Sequence, residues 1–351
     1  MARNCIGLDI GSSCIKLTQL KLGRGTAQLI NFGIEPLPRD AVSDGSIVNR
    51  QSVVEAIRAL KGRLRVNQKD AAVAIAGNAV IIKKIFVPAM EQEELEEQIP
   101  LEAEHHIPFT RADVDIDFQA LSGRNPQGQM EVLLVAAKRE VVSAYSDVLR
   151  EAGFNAVVGD VAAFALQNAF EHAYHGELEP DQAVALINIG ASLSTINIIV
   201  NGQSAFTRDV SVGGNGFNED IIRVLGGIEF DAAEAAKLQF SEDGTPRDLE
   251  RVLANTSEQV AGEFQKSLDF FLASNPDTQI SRIYLAGGTA RVPPLLQAIE
   301  ARARVPVEVL NPFRKVNVAD GAIDGNFLRS HAAQATIAMG LSLRSGADKF
   351  E

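Results

Sequence analysis

The sequence contains no tryptophan, two cysteines and no long uninterrupted apolar run. The spacing of Cys5 and Cys14 fits no metal or redox motif, which favours two buried thiols in a reducing compartment. A membrane-spanning helix needs about 20 consecutive apolar residues, and no segment reaches that length. Residues 1–20 also lack the apolar core of a signal sequence. We therefore expect a cytoplasmic protein with no membrane span of its own.

The sequence also lacks an excess of positive charge. Its formal net charge is -12, from 33 Lys and Arg against 45 Asp and Glu. Binding to nucleic acid or directly to an anionic membrane surface needs basic patches, so this balance argues against both. A chain of 351 residues exceeds what one compact core normally holds, and we expect two main domains.

Two segments of the chain share a pattern of strand, tight glycine turn and strand. The first is Asp9-Ile10-Gly11-Ser12-Ser13, followed by alternating residues at 15–20. The second is Asn188-Ile189-Gly190-Ala191-Ser192, followed by alternation at 195–200. Alternation, β-branched residues and glycine turns are hairpin signals. Because the glycine and serine recur in the same register, we predict an α/β protein of two related halves, each with a mixed sheet flanked by helices.

The two glycine turns suit the binding of phosphate. A phosphate group is best held by backbone N–H groups that converge from a sharp turn with small side chains. Lys16 would add a cation near the terminal phosphates, while Asp9 and Asn188 would hold a hydrated Mg²⁺. The predicted phosphate-binding residues are Gly11, Ser12, Ser13, Lys16, Gly190, Ala191 and Ser192.

Two further glycine clusters predict the nucleoside end of the site. The segment 213–216 precedes a predicted helix, whose N-terminus favours an anion or ribose. The segment 287–289 directly follows a predicted strand, and its glycines allow the chain to pass close to a flat base. Glu234 is a candidate for ribose contact, although pairing with Asp231 as a helix cap is an equally open interpretation. The predicted nucleoside-binding residues are Gly213, Gly214, Asn215, Glu234, Lys237, Gly287, Gly288 and Thr289.

These motifs resemble the phosphate-1, phosphate-2 and adenosine motifs of the superfamily that includes actin, sugar kinases and heat-shock chaperones. The segment 84–118 carries a more specific resemblance. Its succession of Lys84-Ile85-Phe86-Val87-Pro88, an acidic helix and Ile107-Pro108-Phe109 is similar to the small inserted subdomain of the PilM family. Members of that family are actin-like components of type IV pilus machines and relatives of the cell-division protein FtsA. The resemblance extends over nearly the whole chain.

The resemblance implies an actin-like, ribonuclease H-like duplicated fold with a small inserted α+β subdomain. The implied first lobe covers 1–82, 160–182 and 325–351, and the insertion covers 83–159. The second lobe has its core at 183–225 and 280–324 and a subdomain at 226–279. ATP and Mg²⁺ are the implied cofactors.

The family resemblance also implies a role and partners. The protein would be a scaffold at the inner face of the bacterial inner membrane, held there by other pilus inner-membrane proteins. It would dock the N-terminal cytoplasmic tail of PilN and link it to the pilus motor. The tail would lie in a cleft beside the inserted subdomain. The candidate lining residues are Ile85, Val87, Leu95 and Ile99.

Departures from the superfamily pattern leave the catalytic role open. Asn188 stands where hydrolases of the superfamily commonly carry Asp, so we expect ATP binding with slow or no hydrolysis. Asp160 is a candidate carboxylate for orienting water, with capping of a helix at 161–169 as the alternative. A small-molecule kinase and an FtsA-like filament protein are the alternative functions, although the short polar segment 345–351 lacks the amphipathic membrane helix of FtsA-like chains.

Overall fold

The computed structural model describes residues 5–121, 123–177, 182–240, 244–319 and 323–345. The strands are β1 (Ile6–Ile10), β2 (Cys14–Gly23), β3 (Thr26–Pro36), β4 (Val42–Ser43), β5 (Ser46–Ile47), β6 (Asp70–Ile75), β7 (Val80–Pro88), β8 (Val114–Ala120), β9 (Gln129–Lys138), β10 (Asn155–Val161), β11 (Ala183–Ile189), β12 (Ser194–Val200), β13 (Gln203–Val210), β14 (Ile280–Ala286), β15 (Val307–Val309) and β16 (Val316–Val318). The helices are α1 (Arg50–Arg63), α2 (Gln92–His106), α3 (Arg139–Glu151), α4 (Ala162–Tyr174), α5 (Gly214–Leu225), α6 (Phe230–Leu238), α7 (Arg247–Ser274), α8 (Pro293–Ala303), α9 (Gly325–His331) and α10 (Thr336–Ser342).

The first sheet has the strand order β10-β6-β1-β2-β3-β16. β1, β2 and β3 form an antiparallel meander, and β6, β10 and β16 join it in parallel pairings. Successive residues of a strand point to opposite faces of the sheet. Leu8 and Val73 therefore pack with α1 and α3 on one face, whereas Ala72 and Ala74 pack with α4 and α10 on the other.

The second sheet repeats this arrangement with the order β13-β12-β11-β14-β15. Ile187 and Ile196 pack with α5, α7 and α8 on one face. Leu186 and Ile199 on the opposite face join the core that contains α4 and α10. Those two helices thus lie between the sheets. The two mixed sheets flanked by helices confirm the predicted α/β class.

Helix α10 approaches its neighbours so closely that two contacts require glycine. A Cβ atom on Gly7 of β1 would clash with the carbonyl oxygen of Ala338 in α10. A Cβ atom on Gly340 in α10 would clash with the carbonyl oxygen of Ala165 in α4. Glycine is the residue that allows such backbone contact. β1, α10 and α4 are consequently packed backbone against backbone.

A third sheet, with the order β7-β9-β8, forms the inserted subdomain together with α2. The insertion ends earlier than the sequence-based boundary at 159. Helix α3 contributes Tyr145 and Val148 to the core of the first lobe, and β10 pairs with β6. Strand β16 lies in the segment 280–324 that was assigned to the second lobe, but it pairs with β3 of the first sheet. Both differences depend on long-range pairing, which the local sequence pattern does not encode.

Helix α5 begins inside the predicted glycine cluster, at Gly214. The polar terminal segment singled out in the sequence lies, from residue 346 onward, outside the described residues. No helix in the described ranges is both long enough and apolar enough to cross a bilayer.

Candidate functional site

The first glycine turn joins β1 to β2 and is closed by a hydrogen bond from the Gly11 N–H to the Cys14 carbonyl, at 3.1 Å. Asp9 and Lys16 stand opposite each other in this hairpin, and Lys16 Nζ lies 3.1 Å from Asp9 Oδ2. Burial alone would lower the pKa of Lys16, but the Asp9 carboxylate and the Cys14 side chain outweigh it and raise the pKa above the ordinary value. A charged ammonium group is therefore held beside the turn.

The second glycine turn, between β11 and β12, is held from behind by two other segments. The Gly190 carbonyl accepts hydrogen bonds from the Gly214 N–H at 3.0 Å and from the Thr289 hydroxyl at 2.8 Å. The Ala191 carbonyl accepts from the Asn215 N–H at 2.7 Å. Three glycine-containing segments that are far apart in sequence therefore form one hydrogen-bonded unit. With the turn carbonyls engaged at the back, its small side chains face the other lobe.

The two turns face each other across the lobes. The Ser192 hydroxyl donates a hydrogen bond to the Ser12 hydroxyl at 2.8 Å. In the second hairpin Thr195 stands opposite Asn188, at the position that corresponds to Lys16 opposite Asp9 in the first. The two hairpins thus share one backbone arrangement, but of the two only the hairpin of the first lobe carries a charged pair at these positions.

The nucleoside end of the cleft is organised around Lys237, which is 3% exposed. Its Nζ donates to the Gly214 carbonyl at 3.1 Å and to Glu234 Oε2 at 2.6 Å, and the Asn218 amide donates to the same carboxylate oxygen at 2.7 Å. Burial lowers the pKa of Lys237, and Glu234 partly offsets this. Lys237 therefore supports the start of α5 from within, while the partly exposed Glu234 remains accessible to a ligand. Neither Glu234 nor Asp231 caps α6, whose N-terminus has no side-chain cap.

These segments enclose a cavity of about 500 Å³ between the lobes, with a deeper recess behind the turns. The sequence-predicted residues that line the cavity or the recess are Asp9, Gly11, Ser12, Ser13, Lys16, Asn188, Gly190, Ala191, Ser192, Gly214, Asn215, Glu234, Lys237, Gly287, Gly288 and Thr289. Gly213 lies behind the second turn, where a Cβ atom would be 2.6 Å from the carbonyl oxygen of Gly190. Its role is to permit close packing of α5 against the turn.

Several residues of the cleft were missed by the sequence analysis, and three of them are Gln334, Arg39 and Phe230. The Gln334 amide donates to the Cys14 sulfur at 3.1 Å and lies beside Gly288. The Arg39 guanidinium lies 4.1 Å from the centre of the Phe230 ring, so that a loop of the first lobe touches α6 of the second. None of the three belongs to a recognisable motif. They reach the cleft because of the tertiary arrangement.

Asp160 does not line the interlobe cleft. It lies near the end of β10, is 5% exposed and has its Oδ2 3.4 Å from Arg344 Nε. Its other oxygen accepts from the N–H of Val161, and Val161 itself is the N-cap residue of α4, without a side-chain cap. The structure therefore supports neither the water-orienting role nor the conventional capping role. The Asp160 side chain instead faces a second cavity.

The second cavity, of about 450 Å³, is a groove between the inserted subdomain and the first lobe, and Gly202, Gln203 and Ser204 of the second lobe also line it. One wall is the face of the three-stranded sheet that points away from α2. The other wall is α4. The sheet-face residues are Asp117, Gln119, Leu133 and Val135, and the α4 residues are Phe164, Gln167 and Asn168.

The four residues proposed from the sequence to line a partner groove lie elsewhere. Ile85, Val87, Leu95 and Ile99 are at most 3% exposed and form the core between the sheet and α2. Because neighbouring residues of a strand point to opposite faces, Ile85 and Val87 point away from the groove. Neither β7 nor α2 contributes to the described lining of the groove, so the prediction selected the wrong strand and the wrong helix.

The cleft offers few ligands for a metal ion. In the described parts of the chain no group of three or more His, Cys, Asp or Glu side chains is arranged to hold one. Asp9 and Asn188 line the cavity from the two equivalent hairpins. Mg²⁺ commonly keeps several waters and binds through one or two carboxylates together with substrate phosphates. The donor set therefore fits a hydrated Mg²⁺ that arrives with a phosphate ligand.

Two duplicated lobes that meet at paired glycine turns define a protein of actin-like fold. Solved structures with this fold include the ethanolamine utilization protein EutJ from Carboxydothermus hydrogenoformans, at 17% identity and a TM-score of 0.58, covering 98% of this chain and 90% of that one. MreB 5 of Spiroplasma citri bound to AMPPNP is similar at 13% identity and a TM-score of 0.56, covering 98% of this chain and 96% of that one.

The chain belongs to the family described as type IV pilus assembly protein PilM, whose sequence model matches residues 7–346. A solved PilM-PilN type IV pilus biogenesis complex is similar at 27% identity and a TM-score of 0.87, covering 99% of this chain and 100% of that one. The protein is accordingly an actin-like component of type IV pilus assembly, and the family resemblance seen in the sequence is confirmed.

Proposed function

We propose that the protein is an ATP-binding scaffold that docks the cytoplasmic N-terminal tail of PilN and links it to the pilus motor. It would act at the inner face of the inner membrane, held there by its protein partners. The observation that carries this proposal is the presence of two separate cavities: one lies between the glycine turns, and the other lies between the insertion and α4.

The interlobe cleft supports ATP binding. Backbone N–H groups of the two turns would bind the phosphates, with the Lys16 ammonium adding positive charge at one side. Glu234 would hydrogen-bond the ribose, and Gly287 and Gly288 would leave room for the base. Mg²⁺ would neutralise phosphate charge beside Asp9 and Asn188. The AMPPNP bound to MreB 5 shows that this fold accommodates such a ligand in a distant relative.

The deep recess favours slow hydrolysis. Its wall beyond the turns includes Ala74, Ala76 and Ala162, none of which can orient water. The buried Tyr145 hydroxyl is engaged by the Gly45 carbonyl at 2.9 Å, and burial raises its pKa. Asp9 is paired with Lys16, and Asn188 carries no charge. A positioned base is a recurring requirement of phosphoryl transfer to water, so we infer that bound ATP persists.

The groove between the insertion and α4 supports tail docking. It combines apolar residues such as Leu133 and Val135 with amides such as Gln167 and Asn168. This mixture suits an extended peptide, because apolar pockets bind alternate side chains while amides bind the backbone. The relative that resembles this chain over nearly its whole length was solved in complex with PilN.

Calorimetric titration of a synthetic PilN tail peptide, with and without Mg-ATP, tests the proposal. We expect saturable one-to-one binding that Val135→Arg in the groove abolishes. Phe86→Arg is the matched control, because Phe86 lies on the same sheet face, 61% exposed, outside the groove. Binding of ATP without any binding of the peptide would leave the fold intact and refute the docking role.

A further inference from the structure

The floor of the tail groove carries an unbalanced charge. Two carboxylates line it, Asp117 from β8 and Asp160 from β10. Arg344, just beyond α10, is the single cationic residue among its described lining residues, and the others are uncharged. The groove floor therefore has one negative charge more than it has positive charges.

The guanidinium of Arg344 is directed to Asp160. The two groups lie 3.4 Å apart, and their side chains are 20% and 2% exposed. Asp117 forms none of the ion pairs seen among the described residues, so its carboxylate lies farther from Arg344 than that of Asp160 does. The Asp117 carboxylate accepts a hydrogen bond from the Phe118 N–H at 2.8 Å. Burial raises the pKa of Asp117, and the Phe118 N–H and Arg344 offset this in part. An approaching cation would favour the ionised form of this carboxyl group.

A second polar group also faces the groove without a partner. The Asn168 amide nitrogen is buried and makes no hydrogen bond among the described residues, although Asn168 lines the groove wall on α4. A buried amide without a partner is destabilising, so a ligand carbonyl at this position would be favourable. An extended peptide can supply a backbone carbonyl and a cation within a few residues.

We propose that this groove selects its tail by charge: the bound segment places one positively charged group against Asp117 while a nearby backbone carbonyl accepts from Asn168. The inference rests on the proposed docking function and names the chemistry of the partner. The cation is either the free terminal amine of the tail or a Lys or Arg side chain. Asp117 would thus be a specificity-determining residue, with Asp160 and Arg344 forming a neutral pair beneath it.

The test compares Asp117→Asn with Asp115→Asn. Both carboxylates lie on the same strand and the same sheet face, but Asp115 is outside the groove and is paired with Arg139 at 3.0 Å. We expect Asp117→Asn to weaken binding of the PilN tail peptide about tenfold or more, the usual scale for a hydrogen-bonded charge pair. Asp115→Asn should leave it within about twofold, as expected of an exposed ion pair.

Peptide variants identify the source of the cation. One peptide is acetylated at its amine, and the others replace each Lys or Arg in turn by norleucine. The peptide that lacks the relevant cation should bind the wild-type protein weakly. Its affinity should fall little further when the protein carries Asp117→Asn, as in a double-mutant cycle. Equal losses for every peptide, or unchanged binding by Asp117→Asn, would overturn the inference while leaving tail docking intact.

Two controls separate the possible failures. Unchanged thermal unfolding and ATP affinity of Asp117→Asn show that the variant is folded, and Asp117→Ser replaces it if it is not. If the wild-type protein does not bind the tail at all, the docking function itself fails. A tail that binds in the complete absence of Lys, Arg and a free amine would contradict the charge selection alone.

Discussion

At the scale of single residues, Gly340 determines how closely α10 packs against α4. Its missing side chain allows contact with the Ala165 carbonyl. We expect Gly340→Ala to lower the free energy of unfolding by about 1–3 kcal/mol, because overpacking forces the backbone apart. Chemical denaturation measures the change.

Gly62 in α1 provides the matched control. A Cβ atom there would meet no atom within 4 Å. We expect Gly62→Ala to raise the free energy of unfolding by about 0.5–1 kcal/mol, since alanine loses less backbone entropy in a helix. A shift in the same direction for both variants would exclude backbone contact as the reason for Gly340.

Lys16 is expected to distinguish ATP from adenosine. Its ammonium lies beside the first glycine turn, next to Asp9. We expect Lys16→Gln to weaken ATP binding by about 1.5–3 kcal/mol, the range for hydrogen bonds to charged groups. Affinity for adenosine should be unchanged, because the substitution removes a phosphate contact. Fluorescence titration with both ligands makes the comparison, and an equal loss for both would refute a phosphate role.

Residues that act through their own backbone were the easiest to predict. The turns at Gly11 and Gly190 are local features, and their duplication in one chain indicated that they face each other. Gln334 and Arg39 could not be predicted in this way, because they reach the cleft only through tertiary packing. Asp160 failed as a candidate for the same reason. Asp160 does lie near the end of a strand, but the cavity that its side chain lines is formed with the insertion, which the local sequence does not reveal.

At the scale of elements, adjacent residues of β7 are expected to behave differently. Ile85 is 3% exposed in the core of the insertion, whereas Phe86 is 61% exposed on the opposite face. Ile85→Ala should destabilise the protein by about 2–5 kcal/mol through loss of packing, and Phe86→Ala should have little effect. Thermal unfolding of both variants checks this. Similar destabilisation by both would mean that the strand faces are assigned incorrectly.

The inserted subdomain shows where sequence reasoning stops at this scale. The family resemblance located the insertion, but it assigned Leu95 and Ile99 of α2 to a groove although they lie in the core. Alternation with a period of two residues shows that a strand has two faces, but it does not show which face contacts a partner. Both faces of this sheet carry apolar residues, since Leu133 and Val135 point toward the groove. The choice between them needed the position of α4.

At the scale of the whole molecule, Asp209 connects the nucleotide cleft to the insertion. One carboxylate oxygen accepts from the Thr195 hydroxyl at 2.6 Å, just after the second glycine turn. The other accepts from the Gly77 N–H at 2.5 Å, just before β7. Burial raises the pKa of Asp209, and both hydrogen bonds counteract this. Movement of the turn can therefore reach the base of the insertion through one side chain.

We expect ATP and the tail to change each other's affinity through this link, and we expect Asp209→Ala to reduce that coupling. Such couplings are typically about 1–3 kcal/mol and are reciprocal. The four affinities of the cycle, measured with and without the other ligand, give the coupling directly. Asp209→Asn should preserve it, because its amide oxygen still accepts from Gly77. Undiminished coupling in Asp209→Ala would show that the link runs elsewhere.

The central position of α10 also constrains how the protein is made. β1 and α10 touch through Gly7, although nearly the entire chain separates them in sequence. Synthesis runs from the N-terminus, so the insertion and the second lobe both leave the ribosome before α10 does. Until then only α4 covers the apolar face formed by Ala72 and Ala74, and the part of that face that α10 will cover stays open. The lobe that begins first is thus completed last, and a nascent chain must be kept from aggregating during this interval.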